Sequence, residues 1–132
     1  MQIHQSAEDY LETILMLNQR MGRVRSIDVV NELGYTKASV SIAMKKLREN
    51  GYIAVDGEGN LTLLEPGREI AERIYSRHRL LTHFFVQLGV DEAIAAEDAC
   101  KAEHILSEQT LEKIREYALL HDAQDSVKPQ GE

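Results

Sequence analysis

A single cysteine, Cys100, no tryptophan and two prolines stand in a chain of 132 residues. One cysteine excludes an intramolecular disulfide framework and any cysteine-built zinc knuckle. Aromatic residues make up only 5% of the chain, so whatever core it forms must come from aliphatic side chains. No run approaches the roughly 18 to 20 consecutive apolar residues of a membrane span, and the start, Met1 to Ser6, has neither the basic residues nor the apolar stretch of a secretion signal. The expectation is a cytoplasmic protein with no membrane partner. What is present is an ordinary globular composition, 43% apolar and 28% charged, at a length that allows one domain or a small head with a short second module.

The net charge of −7 speaks against a nucleic-acid partner until its distribution is considered. Between residues 20 and 50 the basic side chains Arg20, Arg23, Arg25, Lys37, Lys45, Lys46 and Arg48 outnumber the acidic Asp28, Glu32 and Glu49. Beyond residue 80 the balance reverses, with eleven acidic side chains against Lys101, Lys113, Arg115 and Lys128. Such asymmetry points to a basic contact surface in the first half and an acidic, cation-binding second half, although two solvated surfaces would look the same.

Apolar residues at 10, 11, 14, 15 and 17 predict a first helix over 6–21, stopped by Gly22. Ser26 is positioned to cap a short helix over 27–33 that ends at Gly34, and Thr36 to cap a third that runs to about Asn50. Two apolar stretches, 52–55 and 61–64, flank Asp56-Gly57-Glu58-Gly59-Asn60 and read as a hairpin. From Pro66 a helical period continues to Gly89. Asp91 is set to cap a helix through about Ile105, and Ser107 another through about His121. The polar segment 122–132 is expected to be disordered. The chain therefore divides into 1–65, a winged helix head, and 66–121, a linker helix leading into a helical domain, followed by the tail. The fold class is mainly α.

Three helices followed by a hairpin form the winged variant of the helix-turn-helix, in which the third helix enters the major groove of double-stranded DNA. With Val40, Ala43, Met44 and Leu47 turned inward, Ala38, Ile42 and Lys45 fall on the opposite side, flanked by Lys37, Ser41, Lys46 and Arg48, and Ser39 joins the candidate DNA-binding residues. Small side chains allow close approach to base edges, Ser41 can exchange a hydrogen bond, and Ala38 or Ile42 can touch a thymine methyl. Lys37, Lys45, Lys46 and Arg25 suit phosphates. A helical core with exposed lysines that never meets DNA is the plain alternative.

In the fifth helix Cys100, Glu103 and His104 stand at i, i+3 and i+4 and would project from one face. Asp9 and Glu12 share a face of the first helix, and His78 lies within Arg77-His78-Arg79. Six O, N and S donors meeting would make a first-row transition-metal site. Each has a simpler reading: Asp9 and Glu12 near a helix start interact well with its dipole, and a lone cysteine is commonly a small buried hydrophobe. A helical metalloenzyme would use similar ligands, but no acid/base or nucleophile constellation accompanies them.

Taken together, Ser-Ala-Glu-Asp-Tyr-Leu-Glu-Thr-Ile at 6–14, Ala-Ser-Val-Ser at 38–41, Leu-Arg-Glu-Asn-Gly-Tyr-Ile at 47–53, Arg-His-Arg-Leu-Leu at 77–81 and Asp-Ala-Cys-Lys-Ala-Glu-His-Ile-Leu-Ser at 98–107 resemble the diphtheria toxin repressor and manganese transport regulator family. The resemblance covers 6–121 and the short form without an SH3-like domain. It implies a winged helix head joined by a long helix to a helical dimerisation domain, and a homodimer without enzymatic activity or organic cofactor. Loaded with Fe²⁺ or Mn²⁺, such a protein reads a palindromic operator and represses metal uptake or homeostasis genes. By the same resemblance Asp9, Cys100, Glu103 and His104 form the main activating site, and Glu12 and His78 an optional second. Cys100 follows the iron branch and Asp9 the manganese branch. A thiolate shifts a site toward softer ions, which favours Fe²⁺ over Mn²⁺.

Overall fold

Why the first helix holds its place is visible in what it buries: Leu11, Ile14 and Leu17 are almost wholly withdrawn from solvent, each removal contributing about 1.5 to 3 kcal/mol. The computed structural model describes residues 5–127. Among them six helices and one two-stranded sheet follow in the order α1 (Gln5–Met21), α2 (Ser26–Leu33), α3 (Lys37–Glu49), β1 (Ile53–Val55), β2 (Leu61–Leu63), α4 (Glu65–Gln87), α5 (Glu92–Ala102) and α6 (Glu108–Val127). The chain resolves into two compact units that divide within α4, between Ile74 and Tyr75. That boundary lies nine residues beyond the division at 65 read from the sequence. No helix among the described residues is long and apolar enough to cross a membrane.

In the first unit α1, α2 and α3 enclose Leu11, Ile14, Val24, Val29, Val40, Met44 and Leu47. The Thr36 side chain accepts from the Ser39 N–H at 3.1 Å and caps α3 as the sequence indicates. Ser26 does not cap α2. It is the first helical residue, and the cap position falls to Arg25, whose backbone N–H donates to the Asp28 carboxylate at 2.9 Å. An anionic acceptor at the third helical position is stronger than a serine hydroxyl, which moves the helix start back by one residue. Gly34 closes α2 at φ 72°, in the left-handed region.

The hairpin is antiparallel, with Ile53 opposite Leu63 and Val55 opposite Leu61. Its strands are one residue shorter than the apolar stretches suggest, yet the Leu64 N–H still donates to the Tyr52 carbonyl at 3.0 Å. Asp56 organises the turn: its carboxylate accepts from the Asn60 and Glu58 N–H groups and from the Asn60 side-chain amide. These bonds, those from Asn60 foremost, hold the Asp56 carboxyl below its ordinary range.

The second unit is built around Leu81, Ala99 and Leu111, with Leu80, Phe85, Ala102, Leu106 and Ile114 packed against them. Two expectations fail here. α5 ends at Ala102, three residues before Ile105, because the Ile105 N–H turns back to the Ala102 carbonyl and Ser107 then caps α6 by accepting from the Thr110 N–H. α6 in turn does not stop near 121. It continues to Val127, since Asp122 is fastened to α4 by His83 Nε2 at 2.9 Å and by the Gln87 side-chain amide at 2.9 Å. The segment 122–127, read as disordered tail, is helical; 128–132 lie outside the described residues.

Candidate metal centre and nucleic-acid interface

Two groups of side chains stand out, one in each unit. In the second unit the turn after α5 carries Glu103 and His104, and α4 carries His78. Glu103 is fully buried, and its carboxylate stands between two imidazoles, Oε2 at 3.2 Å from His78 Nδ1 and Oε1 at 3.4 Å from His104 Nε2. The His104 side chain is 1% exposed and that of His78 18%, so the group is nearly closed to water. A buried carboxylate is costly to ionise unless cations or donors surround it. Two nitrogens and a carboxylate converging in such a place match the ligand preferences of a first-row divalent ion.

Helical geometry extends to Glu103, whose N–H donates to the Ala99 carbonyl at 2.9 Å. Because α5 closes at Ala102, Glu103 and His104 are presented by a turn. Cys100, on the last turn of α5, is exposed. The structure sets Glu103 against His78 on one side and His104 on the other. Asp9 and Glu12 belong to α1 of the first unit. Glu12 is the eighth residue of that helix and buried, beyond the first turn to which a dipole interaction reaches, so the plain helix-start reading does not account for it.

Sequence reasoning missed Arg77 as more than part of a basic run. Its guanidinium donates to the Glu103 carbonyl oxygen at 3.3 Å and pairs with the Glu108 carboxylate. The only sequence signal was its place beside His78.

In the first unit α3 turns Val40, Met44 and Leu47 inward. Lys37, Ala38, Ser39, Ser41, Ile42, Lys45 and Lys46 are all exposed, as is Arg25 at the start of α2. Ile42 is 58% exposed amid lysines, an apolar side chain at the centre of a basic face. Ser39 is partly spoken for, since its hydroxyl accepts from Thr36 Oγ1 at 2.9 Å within the helix cap.

Two family models match the chain: the N-terminal DNA-binding domain of the iron dependent repressor over residues 2–61, and the iron dependent repressor metal-binding and dimerisation domain over 64–123. The chain belongs to the iron-dependent repressor family. Such repressors are metal-activated, DNA-binding regulators of metal homeostasis, and this chain carries both the reading head and the metal-binding, dimerising half. An uncharacterised helix-turn-helix transcriptional regulator of Methanocaldococcus jannaschii is 36% identical over 113 residues, covering 84% of this chain and 90% of that protein. The transcriptional regulator MntR of Bacillus subtilis is 32% identical over 123 residues, covering 93% of this chain and 87% of that one. Among solved structures, a manganese-dependent transcriptional repressor in complex with manganese superposes with a TM-score of 0.78 at 28% identity, over 85% of this chain and 52% of the other. IdeR of T. acidophilum shares the fold, with a TM-score of 0.78 at 22% identity over 89% of this chain and 55% of its own. The chain spans about half the length of these two solved chains.

Proposed function

We propose that this repressor is switched on by Fe²⁺ in preference to Mn²⁺, acts in the cytoplasm as a homodimer on a palindromic operator, and performs no catalytic step. The observation that carries the metal reading is the buried Glu103 carboxylate set between His78 and His104. Asp9, Cys100, Glu103 and His104 would hold the required ion, and Glu12 and His78, sharing the Glu103 carboxylate, an optional second. The metal supplies positive charge that these carboxylates and imidazoles share. Carboxylates drawn to one ion no longer repel one another, and an ion held by ligands of both halves would link the reading head to the dimerising half. Coupling of about 1 to 3 kcal/mol, or roughly 5 to 150-fold in operator affinity, is the ordinary scale of such linkage, and operator DNA tightens metal binding by the same factor. In a dimer the linkage fixes the separation of two α3 helices near one turn of DNA, about 34 Å.

The choice of ion is tested by anaerobic calorimetric titration of the metal-free protein with Fe²⁺ and with Mn²⁺, in parallel with Cys100→Ser. The expected result is tighter Fe²⁺ binding whose advantage disappears in Cys100→Ser, because a thiolate favours the softer ion. Comparable Mn²⁺ binding, unchanged by the substitution, would make Cys100 a bystander in keeping with its exposure and assign the protein to manganese.

On DNA, Ala38, Ser41 and Ile42 face the bases, Ser39 borders them from the helix cap, and Arg25, Lys37, Lys45 and Lys46 bind phosphates. Lys45→Ala is expected to weaken operator and random-sequence binding alike and to lower the slope of log affinity against log salt by about 1. Fluorescence anisotropy across a salt series measures it, and an unchanged slope would remove Lys45 from the backbone contacts.

A further inference from the structure

We propose that Arg77 is the positioning residue of the metal centre: its guanidinium holds the turn that presents Glu103 and His104 opposite His78. The inference rests on the metal reading above and deepens it.

The need for such a residue follows from where α5 stops. The last carbonyls of a helix have no partner within it, and a turn that follows takes its shape from whatever donors it meets. Here the Glu103 carbonyl oxygen meets Nη1 of Arg77 at 3.3 Å. Nη2 of the same group pairs with the Glu108 carboxylate in the first turn of α6. Two nitrogens of one rigid planar fork therefore grip both ends of the connection between α5 and α6. A cation at the end of a helix is also favoured by its dipole.

Chain order adds the second part. Arg77 precedes His78 on α4, so the helical turn that supplies one imidazole also anchors the segment that supplies the carboxylate and the other imidazole. The Glu103 carboxylate sits within 3.2 and 3.4 Å of its two imidazoles only while its own backbone is fixed at this height along α4. Of the two contacts, that to the carbonyl matters more: the Arg77 side chain is 15% exposed, whereas Glu108 is 80% exposed and its ion pair is screened by water.

The test uses the full chain and Co²⁺ as a spectroscopic probe, with titrations followed by visible absorption and by calorimetry on the wild type, Arg77→Met, Arg77→Lys and Glu108→Gln. Methionine keeps the unbranched apolar stem and removes the donors. Arg77→Met is expected to lower Co²⁺ affinity by about 10 to 100-fold, the usual effect of losing a residue that orients a ligand, and to alter the absorption bands. Arg77→Lys, with one donor able to reach the carbonyl, should recover most of that loss, and Glu108→Gln should stay within about threefold of wild type. Thermal melting of the metal-free variants is expected to remain near wild type. Unchanged affinity and spectrum in Arg77→Met would overturn the proposal, as would a loss of affinity matched by loss of metal-free stability, which would make Arg77 a residue of the fold. Absence of Co²⁺ binding by the wild type would instead overturn the metal reading itself.

Discussion

Glu103→Gln will cost at least about 100-fold in metal affinity and with it the metal dependence of operator binding. Residues that merely orient a ligand are worth about 10 to 100-fold, and a carboxylate that faces two imidazoles directly has more to lose. Glutamine has nearly the same volume and can still exchange a hydrogen bond with either ring, so the packing around position 103 is preserved. What it lacks is the negative charge that offsets a divalent cation in a site almost closed to water. A hundredfold is about 2.8 kcal/mol at ordinary temperature. Calorimetry with Fe²⁺ and Mn²⁺ reads the affinity directly. Anisotropy with labelled operator reads the consequence: addition of metal should no longer raise DNA affinity, while the metal-free affinity stays as in the wild type. The metal-free melting temperature should stay near the wild type, because glutamine keeps the volume and the hydrogen-bonding capacity at position 103. Retention of full metal activation would reduce the group His78, Glu103 and His104 to a structural hydrogen-bond network.

That group was half legible. The residues themselves were marked by their types, and α1, α3 and the hairpin by periodicity and punctuation, because in those elements local preference and tertiary packing agree. The turn at 103–107 was not legible. Ala-Cys-Lys-Ala-Glu-His-Ile-Leu contains no glycine or proline, and nothing local forbids a helix through Ile105. The break belongs to contacts made at a distance: Arg77, 26 residues earlier, takes the Glu103 carbonyl, and Leu106 packs on the Leu81, Ala99 and Leu111 core. Helical geometry nevertheless reaches the cap, since Glu103 is αR and its N–H donates to the Ala99 carbonyl at 2.9 Å, so the i and i+3 spacing of Cys100 and Glu103 keeps its local basis. The opposite error at the end of α6 has the same origin. Asp122 to Val127 is polar enough to read as tail, and only His83 and Gln87, 39 and 35 residues away, reveal that Asp122 is held.

Gly67→Ala will destabilise the reading head, against what local preference says. On helix propensity alone alanine is better than glycine by about 1 kcal/mol, and Gly67 lies in the first turn of α4. Its surroundings reverse the sign. A β-carbon at this position would stand 2.2 Å from the Tyr52 carbonyl oxygen, 3.1 Å from the Tyr52 carbonyl carbon and 3.3 Å from a methyl group of Leu11. The first two are backbone atoms and cannot rotate away. The Tyr52 oxygen is also the acceptor for the Leu64 N–H at 3.0 Å, so moving it opens the base of the hairpin. The remaining escape is to lift the start of α4, which unpacks Leu11 and Ala71 from the head. Overpacking against backbone typically costs about 1 to 3 kcal/mol, and a buried carbonyl left without its donor adds about 1 to 3 kcal/mol. A net loss of about 3 kcal/mol in a unit of this size lowers its melting temperature by on the order of 15 °C. Circular dichroism melts of the metal-free protein check the figure, and operator binding at 25 °C should weaken as the wing loses its anchor. A variant that melts above the wild type would mean that propensity wins and that α4 approaches Tyr52, just before β1, less closely than the 2.2 Å separation requires.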